Sequence, residues 1–594
     1  MRGALLFTLL LAGVGQAADS LPTEADRLVA TGKLWITVKY FHPAMAYRDV
    51  DWDRALVEAL PKIRGAQTES EYEAAVRAMM RGFEATAVSS GTGQRVWVHH
   101  GLAAEGESGP SPFYSGFLYK VGDEVEEVSV PMGGNGGFAV KVPLSEPANA
   151  GAPIPPAGVV RKTESDSYPS IEQRILAAYK IWGVLHYFFA YRDLLDEDWD
   201  GLLTQFLPRV MAAKDAREYN LTIAEWLTHA ADTFTAPESA TLTQYFGEAP
   251  VGLRLRIVEK HVTVTEVLDP EATKAGVKVG DVVKKVDGET LVDRYKREEQ
   301  YIPASTPQRL GADVVERILN GADDSNAVLT MEDYAGNRKE VTLKRSRRFV
   351  ELLKGLPAGQ GDVVKVLRGG VGYVDLRRLK RDDVDGMFAK LQTAPGILFD
   401  MRGEAADEDS YRLVAARLAS VGSTDASDVA TEIVTGPIVS FPDVGTAQNG
   451  IASRSESYFF LKTIPAVGAT GAKYKGKTVL LVDERTIRTG EEAGLYLEAA
   501  NKTEFVGSPT AGAFSVYTRF VVPGGVTVSF SGEDVRHANG GKLQRLGLQP
   551  NVTVTPTLSG IRTGKDEVLE KAIESVLPKP PSPKTLPSRA SSKL

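Results

Sequence analysis

The composition of this 594-residue chain restricts the side chains that could do covalent chemistry. It contains no cysteine and only seven histidines. This excludes thiolate nucleophiles, zinc–cysteine sites and iron–sulfur clusters, and it argues against a multi-histidine metal site. Hydroxyl groups remain as nucleophiles, and a hydroxyl needs a nearby base. An apolar predicted strand (478–482) is followed by a turn and by a predicted helix from about Thr489.

The charge balance excludes one large class of partners. Lys and Arg number 69 against 77 Asp and Glu, a net charge of −8, so we expect no nucleic-acid partner. One run, Glu404 to Asp409, holds four carboxylates and predicts either a solvated loop or a divalent-cation site. We expect no cofactor, because the sequence shows no nucleotide-binding loop and no haem signature.

The first residues read as a targeting segment. A positive start, Met1-Arg2, precedes the apolar run from Ala4 to Val14 and a small-residue site that ends at Ala17. This pattern predicts a signal peptide over residues 1–17 and a periplasmic or secreted bacterial protein. The alternative, a membrane anchor, needs about 20 apolar residues, so we expect no integral membrane segment in the mature chain.

An internal repeat follows. Trp35 and Trp182 are 147 residues apart, and the same spacing relates Asp51-Trp52-Asp53 to Asp198-Trp199-Asp200. Apolar residues recur at helical spacing in both copies. We predict two related helical modules, residues 18–143 (with a small β piece) and 170–247, joined by a Pro/Ala/Gly-rich linker, 144–169.

Residues 248–345 form the next predicted unit. Spaced glycines, a Gly-Asp turn and an Asp-Gly turn separate short strands, an order that resembles a PDZ domain of the bacterial protease type. The resemblance implies that Gly252, Leu253, Arg254 and Leu255 line a groove that holds a peptide carboxyl terminus by strand addition. The alternative is a small β domain that serves only as a spacer.

The remaining part, residues 346–577, alternates strand and helix patterns and predicts an α/β core. The tail, 578–594, is predicted to be disordered. The fold class is therefore multidomain, α+β and α/β: duplicated helical modules, a PDZ β-domain and an α/β core. This agrees with the roughly four domains that the chain length suggests.

Five segments of this core resemble the tail-specific (C-terminal processing) serine peptidase family, in its tricorn-core-like branch. The order of helical domain, PDZ and α/β core also resembles that family, over nearly all of residues 25–577. In the fourth segment Asn551 stands where the family has Asp. The segments are ILFDMRG (397–403), LVDERT (481–486), VGSPTAG (506–512), GLQPNV (547–552) and DEVLEKA (566–572).

The resemblance implies a serine-type peptidase, but the implied catalytic positions are changed. Thr486 and Glu491 are retained and set the register, which puts Arg488 at the nucleophile position. Arginine stays protonated and only donates, so it cannot attack. Phe234 stands at the histidine base position, Ala513 at the lysine of the other branch, and Gln544 at an orienting glutamate. Acidic residues replace the glycine pair usual after the Arg402-Gly403 turn.

Our leading hypothesis is a catalytically degenerate peptidase that binds peptide or protein carboxyl termini. Arg488 would either clamp a carboxylate or pair with Glu491 or Glu492 on its own helix. The first alternative is an active peptidase with a relocated nucleophile at Thr486 or Thr489, with His229 as a candidate base; His537 reads as a turn residue. The second is an envelope scaffold that binds a partner through its helical modules.

Overall fold

The computed structural model describes residues 21–42, 51–81, 83, 94–99, 114–119, 125–131, 137–143, 166–354, 361–418, 438–443, 458–463, 472–515 and 517–577. The predicted signal peptide, the predicted tail and most of the predicted linker lie outside these residues. Within this part of the chain, none of the helices has the length and apolar character needed to cross a membrane.

Among the described residues, six helices of ten or more residues occupy the region in which the sequence predicts two modules. Their first residues follow polar side chains that accept from helix N–H groups, with capping boxes at Thr23 and Ser170. The first three helices are α1 (Glu24–Phe41), α2 (Trp52–Gly65) and α3 (Glu69–Met79). The other three are α4 (Ile171–Phe188), α5 (Trp199–Ala212) and α6 (Ala216–Thr228).

Between these two groups of helices lie two antiparallel strand pairs. Strand β1 (Gln94–His99) pairs with β2 (Tyr114–Tyr119), and β3 (Val125–Pro131) pairs with β4 (Gly137–Pro143). Val130, Val140 and Val142 of the second pair are buried in the same apolar core as the helices.

A hairpin from the far end of the chain completes the helical core. Strands β19 (Tyr517–Val522) and β20 (Val526–Ser531) pair antiparallel, and β20 also pairs with β5 (Pro237–Glu238). Val528 and Phe530 of the hairpin are buried against the helices, and the Tyr219 hydroxyl donates to the carbonyl oxygen of Pro523 at 2.6 Å. This hairpin, from the carboxy-terminal part of the chain, therefore belongs to the hydrophobic core of the helices.

A six-stranded antiparallel sheet fills the region predicted as a PDZ domain. Its strand order is β11-β10-β8-β7-β6, with β9 on β8, so β6 lies at one end. The strands are β6 (Leu253–Val258), β7 (His261–Val267), β8 (Val282–Val286), β9 (Glu289–Thr290), β10 (Asn326–Glu332) and β11 (Arg338–Lys344). The short helix α7 (Ala240–Phe246) precedes this sheet. The helices that follow are α8 (Pro270–Lys274), α9 (Leu291–Glu299), α10 (Pro307–Arg317) and α11 (Arg348–Lys354).

The carboxy-terminal core is built on a second six-stranded sheet, in the order β12-β13-β14-β17-β18-β22. All neighbouring strands are parallel except the first two. The central strands are buried along their length and covered by helices on both faces, as parallel sheets require. The strands are β12 (Val364–Val366), β13 (Gly372–Asp375), β14 (Gly396–Asp400), β17 (Lys477–Val482), β18 (Glu504–Gly507) and β22 (Val552–Thr553).

Helices on one face of this sheet are α12 (Val384–Leu391), α13 (Glu408–Leu418) and α14 (Thr489–Asn501), and α16 (Glu567–Val576) covers the other. A short helix, α15 (Leu558–Thr563), precedes α16. A small sheet of β15 (Ile438–Asp443), β16 (Tyr458–Thr463) and β21 (Asp534–Arg536) completes the core.

Candidate functional site

The candidate site begins where β17 ends. The chain turns sharply after Val482 and enters α14 at Thr489, with Arg488 as the residue before the helix. Arg488 has φ 51° and ψ −118°, a conformation that side chains other than glycine rarely adopt and that costs about 1–3 kcal/mol. Strained strand-to-helix elbows of this kind present nucleophiles in hydrolases. Arg488 therefore occupies a strained strand-to-helix elbow.

Hydrogen bonds to neighbouring loops hold the elbow in place. The Arg488 N–H donates to the carbonyl oxygen of Ala513 at 3.2 Å. The buried Thr486 hydroxyl donates to the carbonyl oxygen of Met401 at 2.7 Å and accepts from the Asp483 N–H. Because β14 and β17 are parallel neighbours, their carboxyl ends meet at one edge, which is where ligands bind in open α/β sheets.

Glu491, the second retained residue, is fully buried one turn below the elbow. Its carboxylate accepts from the Thr510 hydroxyl, from the Gly512 N–H at 2.7 Å and from the Ala513 N–H at 2.8 Å. It therefore fastens the loop after β18 to helix α14. Burial outweighs these donors and raises the pKa of Glu491 to about 7.

The position implied for the base lies beside the elbow. Phe234 is buried in a small apolar cluster with Ile487, Ala511 and Ala513. The structure thus brings together the residues at both implied base positions, Phe234 and Ala513, next to Arg488. Neither side chain can accept a proton, and the cluster keeps this side of the elbow apolar.

Gln544 lies in a buried polar network a short distance away. Its amide N–H group donates to Asp232 at 2.9 Å and to the Ser305 hydroxyl at 3.1 Å, and its Oε1 is buried without a partner. Asp232 is fully buried and accepts also from the Thr235 and Ser531 hydroxyls. Burial raises the pKa of Asp232, and these donors oppose that rise.

Arg488 does not pair with the glutamates of its own helix. Glu491 faces the Thr510–Ala513 loop, and Glu492 accepts from the Tyr411 hydroxyl and from Arg412 at 2.9 Å. The predicted Arg488–Glu491 or Arg488–Glu492 pairing is therefore wrong, because both carboxylates are turned toward other donors. The Arg488 Nε lies instead 3.7 Å from the Glu404 Oε2, and both side chains are 44% exposed.

The acidic run after β14 is ion-paired. Glu404 faces Arg488, and its partial burial raises its pKa. Asp409 pairs with Arg381 at 3.0 Å, and Glu408 pairs with Arg412 at 2.9 Å. Among the residues that the structure describes, no three histidines or carboxylates are grouped closely enough to hold a metal ion. The divalent-cation alternative thus gains no support from this geometry.

The hydroxyl and amide groups nearest the elbow are committed elsewhere. The Thr489 hydroxyl accepts from the Ala405 N–H at 3.0 Å and donates to the same residue's carbonyl oxygen at 3.2 Å. The Gly403 N–H donates to the carbonyl oxygen of Met401 at 2.7 Å. Thr489 and Gly403 therefore fix the loop after β14 against α14.

The two histidines considered from the sequence make pairs away from Arg488. His229 Nδ1 lies 2.7 Å from Glu197 and its ring packs edge-on against Phe206. His537 Nδ1 lies 2.6 Å from Glu498.

The residues expected to line a peptide groove lie on β6 or, for Gly252, directly before it, at the end of the antiparallel sheet. Leu253 is buried in the sheet's core, while Gly252 is covered by the ring of Phe349 from α11. Arg254 pairs with Glu266 at 2.9 Å and donates to the carbonyl oxygens of Leu352 and Leu353. Further along the strand, beyond Leu255, Ile257 remains 42% exposed.

Sequence reasoning missed two links around the elbow. Arg256, on β6, pairs with Glu484 at 2.7 Å and with Asp483 at 3.1 Å, which ties the antiparallel sheet to the turn before Arg488. The Tyr191 hydroxyl accepts from the Val535 N–H at 3.1 Å. Charged and apolar residues alternate along β6, and Arg256 lies on the charged side. This alternation could have indicated that the charged side of the strand is also covered by another part of the chain.

The Glu491 carboxyl predicts a pH dependence of stability. Because its folded pKa is raised above its ordinary value of 4.5, its contribution is present at low pH and is lost as the pH rises through 7. Relative to Glu491→Gln, we expect the free energy of unfolding of the natural chain to fall by up to about 3 kcal/mol between pH 5 and pH 8. Urea titrations at several pH values measure this. Glu73→Gln, at a partly exposed position of α3, is the control. A difference independent of pH contradicts the expectation.

Comparisons with known proteins bear on this core. Residues 370–554 match the model of peptidase family S41. Mature CPAF matches with a TM-score of 0.51 and 10% identity, over 68% of this chain and 98% of CPAF. Mature CPAF complexed with lactacystin gives 0.50 and 11% over the same shares. The photosystem II D1 C-terminal processing protease matches at 18% identity and a TM-score of 0.36, over 65% and 96%. None of the curated proteins matches. Residues 370–554, called the S41 domain below, are thus similar to a peptidase family, in agreement with the resemblance noted in the sequence.

Proposed function

We propose that this chain, whose residues 370–554 match peptidase family S41, has lost hydrolysis and acts by binding peptides or protein carboxyl termini. The observation that carries the proposal is Arg488 at the elbow, with φ 51° and ψ −118°. The conformation that exposes a nucleophile is present, and the side chain on it has no lone pair to attack with. Strain of this size persists only where the surroundings impose it.

The surroundings of the elbow support loss of the base as well as of the nucleophile. A hydroxyl nucleophile and its base act as a unit, so the absence of both removes general-base activation. Phe234 and Ala513 make the neighbouring surface apolar. The hydroxyls of Thr486 and Thr489 donate to backbone carbonyl oxygens, which argues against a relocated nucleophile at either position.

The elbow with Arg488 can still bind a carboxylate. The Arg488 side chain is 44% exposed beside Glu404, and a guanidinium matches the two oxygens of a carboxylate. The N-terminal end of the 13-residue helix α14 adds its positive dipole at the same place.

We further propose that residues 248–345 are a PDZ-type domain whose β6 edge adds a peptide strand. Phe349 and the Arg254 contacts cover the Gly252 end, so the accessible part lies toward Ile257. Arg256 connects this strand to Glu484 beside the elbow, which would place a bound peptide near Arg488. A signal peptide at residues 1–17 and a periplasmic or secreted location belong to the same proposal.

The test measures cleavage and binding on the purified chain. We expect no cleavage of an unfolded protein or of a tagged carboxy-terminal peptide, and no labelling by a fluorophosphonate. We expect binding of a peptide with a free carboxyl terminus, weakened about tenfold by Arg488→Ala, since a charge-assisted bond contributes about 1.5–3 kcal/mol. The amidated peptide should bind equally to both proteins.

Matched variants make the result interpretable. Arg381→Ala removes another exposed arginine near the same loop and should leave binding unchanged. Arg488→Ser combined with Phe234→His restores the two implied catalytic groups, and any cleavage it gains supports the assigned positions. Cleavage by the natural chain, with a labelled Ser or Thr, would instead establish the relocated nucleophile. Equal loss of free and amidated peptide in Arg488→Ala would remove the carboxylate role.

The scaffold alternative remains a separate candidate, in which the helical modules bind a partner. The structure decides which part of the chain is needed to test this alternative, because Val528 and Phe530 of the S41 domain complete the helical core. A partner-capture experiment therefore needs the full chain rather than residues 18–247.

A further inference from the structure

The two groups of amino-terminal helices correspond residue by residue. Helices α1 and α4 begin and end 147 residues apart, and so do α2 and α5. Their hydrogen bonds correspond too: the Trp52 indole donates to the Trp35 carbonyl oxygen at 3.0 Å, and the Trp199 indole donates to that of Trp182 at 2.9 Å. The same spacing of 147 residues therefore relates the helix bounds and the hydrogen bonds of the two groups.

Where α1 crosses α4, each glycine faces its own equivalent. Gly32 corresponds to Tyr179, and a Cβ on Gly32 would overlap the Tyr179 ring. Gly183 corresponds to Ile36, and a Cβ on Gly183 would overlap the Ile36 side chain. Residues near a twofold axis meet their own equivalents, whereas head-to-tail packing brings together residues that do not correspond.

The ion pairs between the two groups are reciprocal. Lys33 of α1 lies 2.5 Å from Asp200, and Lys180 of α4, its equivalent, lies 2.6 Å from Asp53, the equivalent of Asp200. Such an exchange, in which i contacts j and j contacts i, is the mark of an isologous interface.

We infer that the amino-terminal region is an internal dimer, in which two copies of one module bind each other through a self-complementary surface about an approximate twofold axis. The partner that this surface fits is another copy of the module, and the chain supplies that copy itself. The inference is independent of the proposed function. It places any external partner of the helices on other faces, because the α1–α4 surface is occupied.

An exchange of residues across the axis tests this in the full chain. Gly183→Ile alone should clash with Ile36, and Ile36→Gly alone should leave a cavity, each lowering Tm by about 5 °C. With both changes, we expect Tm within about 2 °C of the natural chain, because at a twofold axis the two equivalent positions face each other and either can carry the larger side chain. If the Tm of the double variant falls by as much as the two single variants combined, the inference is overturned.

A second measurement covers the case in which a single variant fails to fold. A site for a specific protease is inserted into residues 144–165, between the modules of the otherwise natural chain. After cleavage we expect the amino-terminal fragment to stay bound in size-exclusion chromatography, and to bind more weakly when Lys33→Asp and Lys180→Asp remove both reciprocal pairs. Arg54→Asp, which alters an exposed pair inside one helix, is the control. Release of the fragment from the natural sequence would overturn the inference.

Discussion

Gly490→Ala is expected to destabilise the S41 domain by about 3 kcal/mol, at the upper end of the cost of overpacking. Gly490 is the second residue of α14, and a Cβ there would overlap the carbonyl oxygen of Gly403 and approach the Thr486 methyl at 3.1 Å. The main obstacle is backbone, so it cannot rotate away as a side chain can. Relief requires α14 to move from the loop after β14, which breaks the Thr489–Ala405 hydrogen bonds.

Urea unfolding followed by helical circular dichroism measures this effect, with Gly386→Ala as the matched control. Gly386 lies inside α12, and a Cβ there meets no atom within 4 Å, so this change should stabilise by up to about 1 kcal/mol. If Gly490→Ala leaves the midpoint unchanged, the close approach of α14 to the Gly403 loop is wrong, and with it the position assigned to the elbow.

Arg402→Met is expected to lower the free energy of unfolding by about 3–5 kcal/mol, because it leaves a buried carboxylate without its charged partner. The Arg402 guanidinium makes two hydrogen bonds to Asp400, at 2.7 and 3.0 Å, and two to Asp566, at 2.8 and 2.9 Å. Asp400 is only 2% exposed. Arg402 holds the pKa of Asp400 well below its ordinary range. Without it, Asp400 keeps the Tyr373 hydroxyl at 3.0 Å as its main side-chain donor.

The pH dependence separates this mechanism from lost packing. In Arg402→Met the freed Asp400 can take up a proton in mild acid, so the cost should shrink as the pH falls toward 4. Arg54→Met, which removes one partner of an exposed helix pair, should change the midpoint little at any pH. A cost for Arg402→Met that is the same at pH 4 and pH 8 would assign the loss to packing instead.

The residues of the elbow show how far sequence alone reaches. The spacing of Thr486 and Glu491 located Arg488 before the helix, and the structure places Arg488 at that turn with a left-handed φ. Local order along the chain was sufficient, because a strand, a turn and a helix are contiguous. Phe234, 254 residues earlier, was assigned through resemblance, and it lies beside Ile487 and Ala513.

The partner of Arg488 could not be predicted in the same way. Helical spacing favoured Glu491 and Glu492, but spacing describes only the helix's own neighbours. Tertiary contacts turned Glu491 to the Thr510–Ala513 loop and Glu492 to Tyr411, and brought Glu404 from the neighbouring strand's loop to Arg488. The hydrogen bond between Asp232 and Gln544 could not be predicted from local spacing either, because the two residues are 312 positions apart.

The sequence by itself determined that Arg488 and Phe234 cannot attack or accept a proton, because residue types decide which groups can do so. It also determined the 147-residue repeat. Only the tertiary structure decided what those residues face. Burial and direction arise from elements distant in the chain, which is why the reciprocal Lys33–Asp200 and Lys180–Asp53 pairs, and the pKa of Glu491, appear only once the helices and sheets are packed together.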